Sequence, residues 1–78
     1  MKIHATILAD IQAERDRQDD MHGTKRLETD DAVSIITEQL LQLQRAAKHD
    51  CPAQAYRQGV QVAAVAVKYL EGLPETFR

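Results

Sequence analysis

The sequence predicts an all-α fold: three helices in one 78-residue chain, forming a helical bundle that a second copy completes by dimerisation. Three observations carry this reading. Apolar residues recur three or four apart in three separate segments, the spacing that gathers them on one side of a helix. Glycines and prolines fall between those segments and after the last one, at Gly23, Pro52, Gly72 and Pro74, where helices stop and start. The third segment is apolar on two sides, more than one chain of this size can cover.

Ile3, Ile7 and Ile11 recur every four residues with Leu8 beside them, which predicts helix 1 over about 3–20, ended by Gly23. Its second half, Glu14-Arg15-Asp16-Arg17-Gln18-Asp19-Asp20, has no apolar residue. Such a stretch is either a solvated end laced with ion pairs or a polar face lining a site. Helix 2 is expected over about 30–49, with Thr29 or Asp30 accepting from its first free amides and Asp30-Asp31 complementing its dipole. Val33, Ile36, Leu40, Leu43 and Ala47 form a narrow heptad seam, and Ile35 and Leu41 lie off it, so a second covered surface is expected.

Pro52 suits the first turn of helix 3, expected over about 53–71 with Gly72 as a left-handed cap. One seam of this helix is Tyr56, Val60, Ala63, Val67 and Leu70; another is Gly59, Val62, Ala66, Tyr69 and Leu73. Gly59, Ala63, Ala64 and Ala66 remove bulk and allow a close helix approach. From the two faces follows self-association through helices 2 and 3, with Val60, Ala63, Ala64 and Val67 at the chain-to-chain contact or in the deepest core. Residues 1–78 read as one domain.

Composition narrows the function classes. Ten Lys and Arg against 12 Asp and Glu give a net charge of −2 with both signs scattered, which argues against a grip on nucleic-acid phosphates. The longest apolar run, 62–67, is far short of a membrane span, and the first residues do not read as a signal peptide. Cys51 is the one cysteine and has no partner for a disulfide, which fits a reducing, cytoplasmic setting. His4, His22 and His49 are scattered, which favours solvated or capping roles over metal ligation.

Ile11-Gln12-Ala13-Glu14-Arg15-Asp16-Arg17-Gln18-Asp19-Asp20-Met21-His22-Gly23 resembles the Glu-Arg-x-Arg-Gln…Trp-Gly opening of small phage MazG-like proteins, all-α nucleoside triphosphate pyrophosphohydrolases. Ile36-Thr37-Glu38-Gln39-Leu40-Leu41-Gln42 is similar to their Glu-Glu-x-x-Glu helix. The stretch from Tyr56 through Gln58 and Gln61 to Val67 is similar to their Glu-x-x-Asp helix. In that family the carboxylates hold Mg²⁺ on the triphosphate so that an activated water attacks phosphorus.

By position, the resemblance implies a degenerate site. Glu38 keeps its acid, whereas Gln39, Gln42, Gln58 and Gln61 stand at the other ligand places, and His22 stands where the family often has Trp. Neutral amides bring no net charge for Mg²⁺, so the expectation is no catalytic residue, no metal and no cofactor.

The resulting expectation is a non-enzymatic protein-binding module, for example a phage-encoded inhibitor of a host defence complex, with itself and another protein as partners. Its contact surface is expected at Arg15, Arg17, Asp19, Asp20, His22, Lys25 and Arg26, a dense mixed-charge patch without an evident core duty. The alternative is a Mg-dependent pyrophosphohydrolase or nucleotide binder in which Glu14, Glu38 and Asp30 or Asp31 regroup around the ion.

Overall fold

A computed structural model describes residues 2–74 and residue 76. Met1, Glu75, Phe77 and Arg78 of the expected 1–78 domain lie outside the described residues. The chain is an all-α bundle of three helices: α1 (Ala5–His22), α2 (Thr29–Lys48) and α3 (Pro52–Glu71).

Helix ends show which local chemistry wins. α1 starts two residues later than its isoleucine spacing suggests, because His4 caps it: its Nδ1 accepts the Thr6 N–H at 3.1 Å. α1 ends on Gly23, at φ 82°, whose N–H reaches the Asp19 carbonyl at 2.8 Å. The expected cap of α2 by Thr29 or Asp30 is not made. Glu28 takes the cap position without a side-chain bond, and the Thr29 hydroxyl instead lies 3.0 Å from the Tyr69 hydroxyl on α3.

The α2–α3 turn is built on Asp50, at φ 52°. The Cys51 N–H bonds to the Ala46 carbonyl at 3.0 Å and the Asp50 N–H to that of Ala47 at 3.2 Å, the paired bonds of a left-handed helix stop. Pro52 opens α3 as expected. Gly72 departs from expectation: it is right-handed, at φ −79°. Its small size has a different use, since a Cβ there would sit 2.9 Å from Cγ of Arg26.

α3 is the middle element and packs against both α2 and α1. The buried apolar residues are Ala32, Ala46, Ala64 and Val65, and no large side chain is fully buried among the described residues. On α2 the covered stripe runs Ala32, Ile36, Gln39, Leu43 and Ala46, so Ile36 and Leu43 of the expected heptad seam lie on it and the rest of that seam does not. Val33 (59% exposed) and Leu40 (49%) of that seam face outward, as does Leu41, whose expected cover is missing. Of the expected interface residues, Ala64 is buried, Val60 and Ala63 are half-buried, and Val67 is exposed.

Candidate functional site

The groove between α2 and α3 collects the glutamines and divides them between two pockets. Gln39 and Gln61 line a cleft of about 310 Å³ together with Val65, Ile35 and Leu27. α1 closes the third side with Gln18, Arg17 and His22. Gln42 and Gln58 line a second pocket, of about 260 Å³, at the α2–α3 turn, together with Arg45 and His49. Glu38, the acid kept at a ligand place, lines neither pocket and is exposed.

Gln18 is the one buried polar residue among those described, at 7% exposure. Its amide Nε2 donates to Glu14 at 3.0 Å, and Arg17 holds the same carboxylate through two bonds, at 2.8 and 2.6 Å. The hydrogen bonds from Arg17 hold the Glu14 carboxyl below its ordinary pKa, against the opposing effect of burial. Two other glutamines are less well served. The Oε1 atoms of Gln39 and Gln58 are buried with no hydrogen-bond partner, a costly arrangement for an amide.

The expected partner surface is spread over two neighbouring grooves. Arg17 and His22 line the cleft, whereas Arg15, Asp19, Lys25 and Arg26 line a charged groove of about 280 Å³ with Lys68 and Glu71; Asp20 lines neither. Within this patch Arg15 bonds to Asp19 and Glu71, each at 2.9 Å, and Lys68 reaches Asp19 at 3.7 Å and the Gly23 carbonyl at 3.1 Å. The hydrogen bond from Arg15 holds the Asp19 carboxyl below its ordinary pKa. These charges therefore carry a structural duty, joining α1 to α3. The sequence hid that duty because Lys68 and Glu71 lie on another helix.

Among the described residues no three His, Cys, Asp or Glu side chains gather into a metal-holding group, so Glu14, Glu38 and Asp30 or Asp31 do not regroup around one point. No described helix is long and apolar enough to cross a membrane. No protein-family model, no curated protein and no solved structure matches the chain.

Proposed function

We propose that this chain is a non-catalytic protein-binding module that works as a homodimer, on a scaffold resembling the MazG-like helical proteins. The surface area carries the reading. The chain exposes 6064 Å², whereas a folded monomer of its mass, 8.8 kDa, exposes about 4,800 Å². The surplus, on the order of 1,300 Å², exceeds the ~800 Å² that each partner commits to a standard interface. The radius of gyration of 13.2 Å is likewise above the ~11.5 Å of a compact chain of this length.

The surplus is apolar where α2 and α3 turn away from the cleft. Successive helix positions are about 100° apart, so the exposed Val33 and Leu40 lie round the side of α2 from the cleft-lining Ile35 and Gln39. On α3, Gly59, Ala63 and Leu70 lie opposite Gln61 and Val65. A second copy laid on this face turns two pairs of helices into a four-helix bundle. α2 carries Asp30 and Asp31 in its first turn and Arg45 and Lys48 in its last, so an antiparallel pairing sets acid against base.

The non-catalytic part is supported by the groove's chemistry. Its four expected ligand positions are neutral amides, and the one acid, Glu38, points elsewhere than either pocket. Binding to another protein, for example as a phage-encoded inhibitor in the cytoplasm of a host, needs no cofactor and suits a small scaffold.

Sedimentation equilibrium at micromolar concentration tests the reading, paired with hydrogen exchange at Leu40 and Leu70. A dimer with these amides protected is expected. A strict monomer overturns the dimer, and metal-dependent pyrophosphate release from nucleoside triphosphates overturns the non-catalytic part.

A further inference from the structure

α1 is attached to the rest of the fold on one side only. No Cα of α1 comes within 8 Å of one in α2, so this helix rests on α3 alone. What it buries there is mainly polar: Gln18 is 7% exposed and Ile11 half-buried, while Ile7, Leu8 and Met21 are exposed. Most of its side-chain bonds are also internal. Gln12 donates to Asp16, Arg17 and Gln18 donate to Glu14, and Arg15 donates to Asp19, all three or four residues apart, so these bonds travel with the helix. Gln18 can therefore leave α3 for water without losing its partner.

The side-chain bonds that cross to α3 join Arg15 to Glu71, Tyr56 to Asp10, and Lys68 to Asp19 and to the carbonyl of the cap residue Gly23. They lie mostly open to solvent, where such bonds contribute little. The α2–α3 pair has closures of its own. The Asp50 and Cys51 N–H groups fix its turn, the Thr29 and Tyr69 hydroxyls meet at its other end, and Ala32 and Ala46 of α2 are buried without any contribution from α1. Residues 23–28 connect α1 to α2. Extended, they reach about 20 Å, nearly twice the width of a helix, so α1 can lift clear without pulling on α2.

We infer that α1 is a strap: it undocks from α3 as one unit while the α2–α3 pair stays folded, and so opens and closes the cleft. Arg17, Gln18 and His22 form the α1 wall of that cleft and leave with the helix, whereas Ile35, Gln39, Gln61 and Val65 stay behind. The cleft is complete only in the closed state. Anything held between its α1 and α2 walls therefore holds the strap shut. Detached, α1 loses the tertiary contact from which most helical stability comes, so its amides exchange with solvent in the open state. The inference stands apart from the proposed dimer, because the strap bonds use Tyr56, Lys68 and Glu71 and the dimer face uses Leu40, Gly59, Ala63 and Leu70.

The test is amide hydrogen exchange of the full chain, followed by NMR at fixed protein concentration in low, sub-denaturing urea, with sedimentation under the same conditions. The amides of residues 11–18 are expected to converge on one urea-dependent opening, at least tenfold more populated than the opening that exposes the amides of Leu43 and Val65. Two variants inside the α2–α3 pair separate these openings. Tyr69→Phe removes the bond to the Thr29 hydroxyl and lowers protection at Leu43 and Val65 by about threefold, and Asp50→Gly raises it by about twofold. Neither changes the protection of α1, because the pair is still folded when α1 exchanges. Arg15→Met breaks a bond that is lost in both openings and lowers protection in all three helices by a similar factor. If α1 is protected as well as α2 and α3, or follows them in Tyr69→Phe and Asp50→Gly, the helices open only together and the strap is overturned. Exchange of α1 that is independent of urea is fraying residue by residue and overturns it too. Sedimentation reads the dimer separately: a monomer in which α1 still opens first overturns the dimer and supports the strap.

Discussion

Arg15, midway along α1, donates to one oxygen of Glu71 at the end of α3 from both Nε, at 3.2 Å, and Nη2, at 2.9 Å, across 56 residues of chain. The Tyr56 hydroxyl donates to Asp10 nearer the other end of α1. Along its length α1 offers little apolar surface: Ile7 and Leu8 are exposed, Ile11 between the clasps is half-buried, and its one buried residue is Gln18. Polar contacts thus do for α1 much of the work that apolar packing does between α2 and α3.

Arg15→Met keeps the length and apolar stem of the side chain and removes its bonds to Asp19 and Glu71. The Arg15 side chain is 14% exposed but that of Glu71 is 61%, so solvent screening limits the loss to about 1 kcal/mol. A fall of roughly 4–8 °C in the thermal midpoint is expected. An unchanged melt, followed by circular dichroism, would show that α1 is held by other contacts.

Docking of α1 should fail at both ends of the pH scale. Asp19 and Glu14 have folded pKa values held below the ordinary range by Arg15 and Arg17. Their stabilisation is fully present above the unfolded values and lost as pH falls through the lower folded ones, below about pH 4. Tyr56 is the opposite case: its hydrogen bond to Asp10 raises the phenol's pKa, so stability present below about pH 10 is lost as pH rises through the raised folded value. Tyr56→Phe should be less stable than the parent at neutral pH and equal to it at high pH. A constant difference across that range would contradict the assignment.

Asp50 is the one non-glycine residue at positive φ among those described, 52°. A left-handed conformation costs an L residue roughly 1–2 kcal/mol, less for Asp, and glycine nothing sterically. Asp50→Gly should therefore raise stability by about 0.5 kcal/mol, net of the entropy that glycine adds to the unfolded chain. Urea unfolding reads this directly. A loss instead of a gain would mean that the Asp50 side chain contributes to the turn.

The helices were legible because their signals are local. Gly23, Pro52 and the spacing of Val33, Ile36 and Leu40 each act within a turn or two of themselves. The choice of α2 face was legible in part: Ile36 and Leu43 of the expected seam are half-buried, but Ala32-Gln39-Ala46 and Val33-Leu40-Ala47 both repeat every seven residues and only docking on α3 separates them. Small residues won that contact because Ala32, Ala46 and Ala64 let two backbones approach, which larger side chains prevent. The same limit applies to the pockets. Four glutamines could be placed on two helices from sequence, but their division into two pairs, and the arrival of Arg45 and His49 beside one of them, depend on the register between α2 and α3.

Gly59 distinguishes a face that is merely exposed from one that a second copy covers. A Cβ at Gly59 meets nothing within 4 Å in the single chain, and the residue lies inside a helix, where replacing glycine by alanine gains about 0.8–1 kcal/mol. Leu40→Glu should dissociate the dimer, weakening it by roughly a hundredfold, because the carboxylate would be buried in an apolar seam, while the chain itself tolerates a charge at a half-exposed position. In that monomeric background Gly59→Ala should raise the melting point by about 4–8 °C. In the parent the same alanine should weaken the dimer measured by sedimentation, because the added methyl occupies the space in which the partner's helix packs. If Gly59→Ala stabilises both backgrounds equally and leaves dimerisation untouched, α3 takes no part in the interface and the second copy sits on α2 alone.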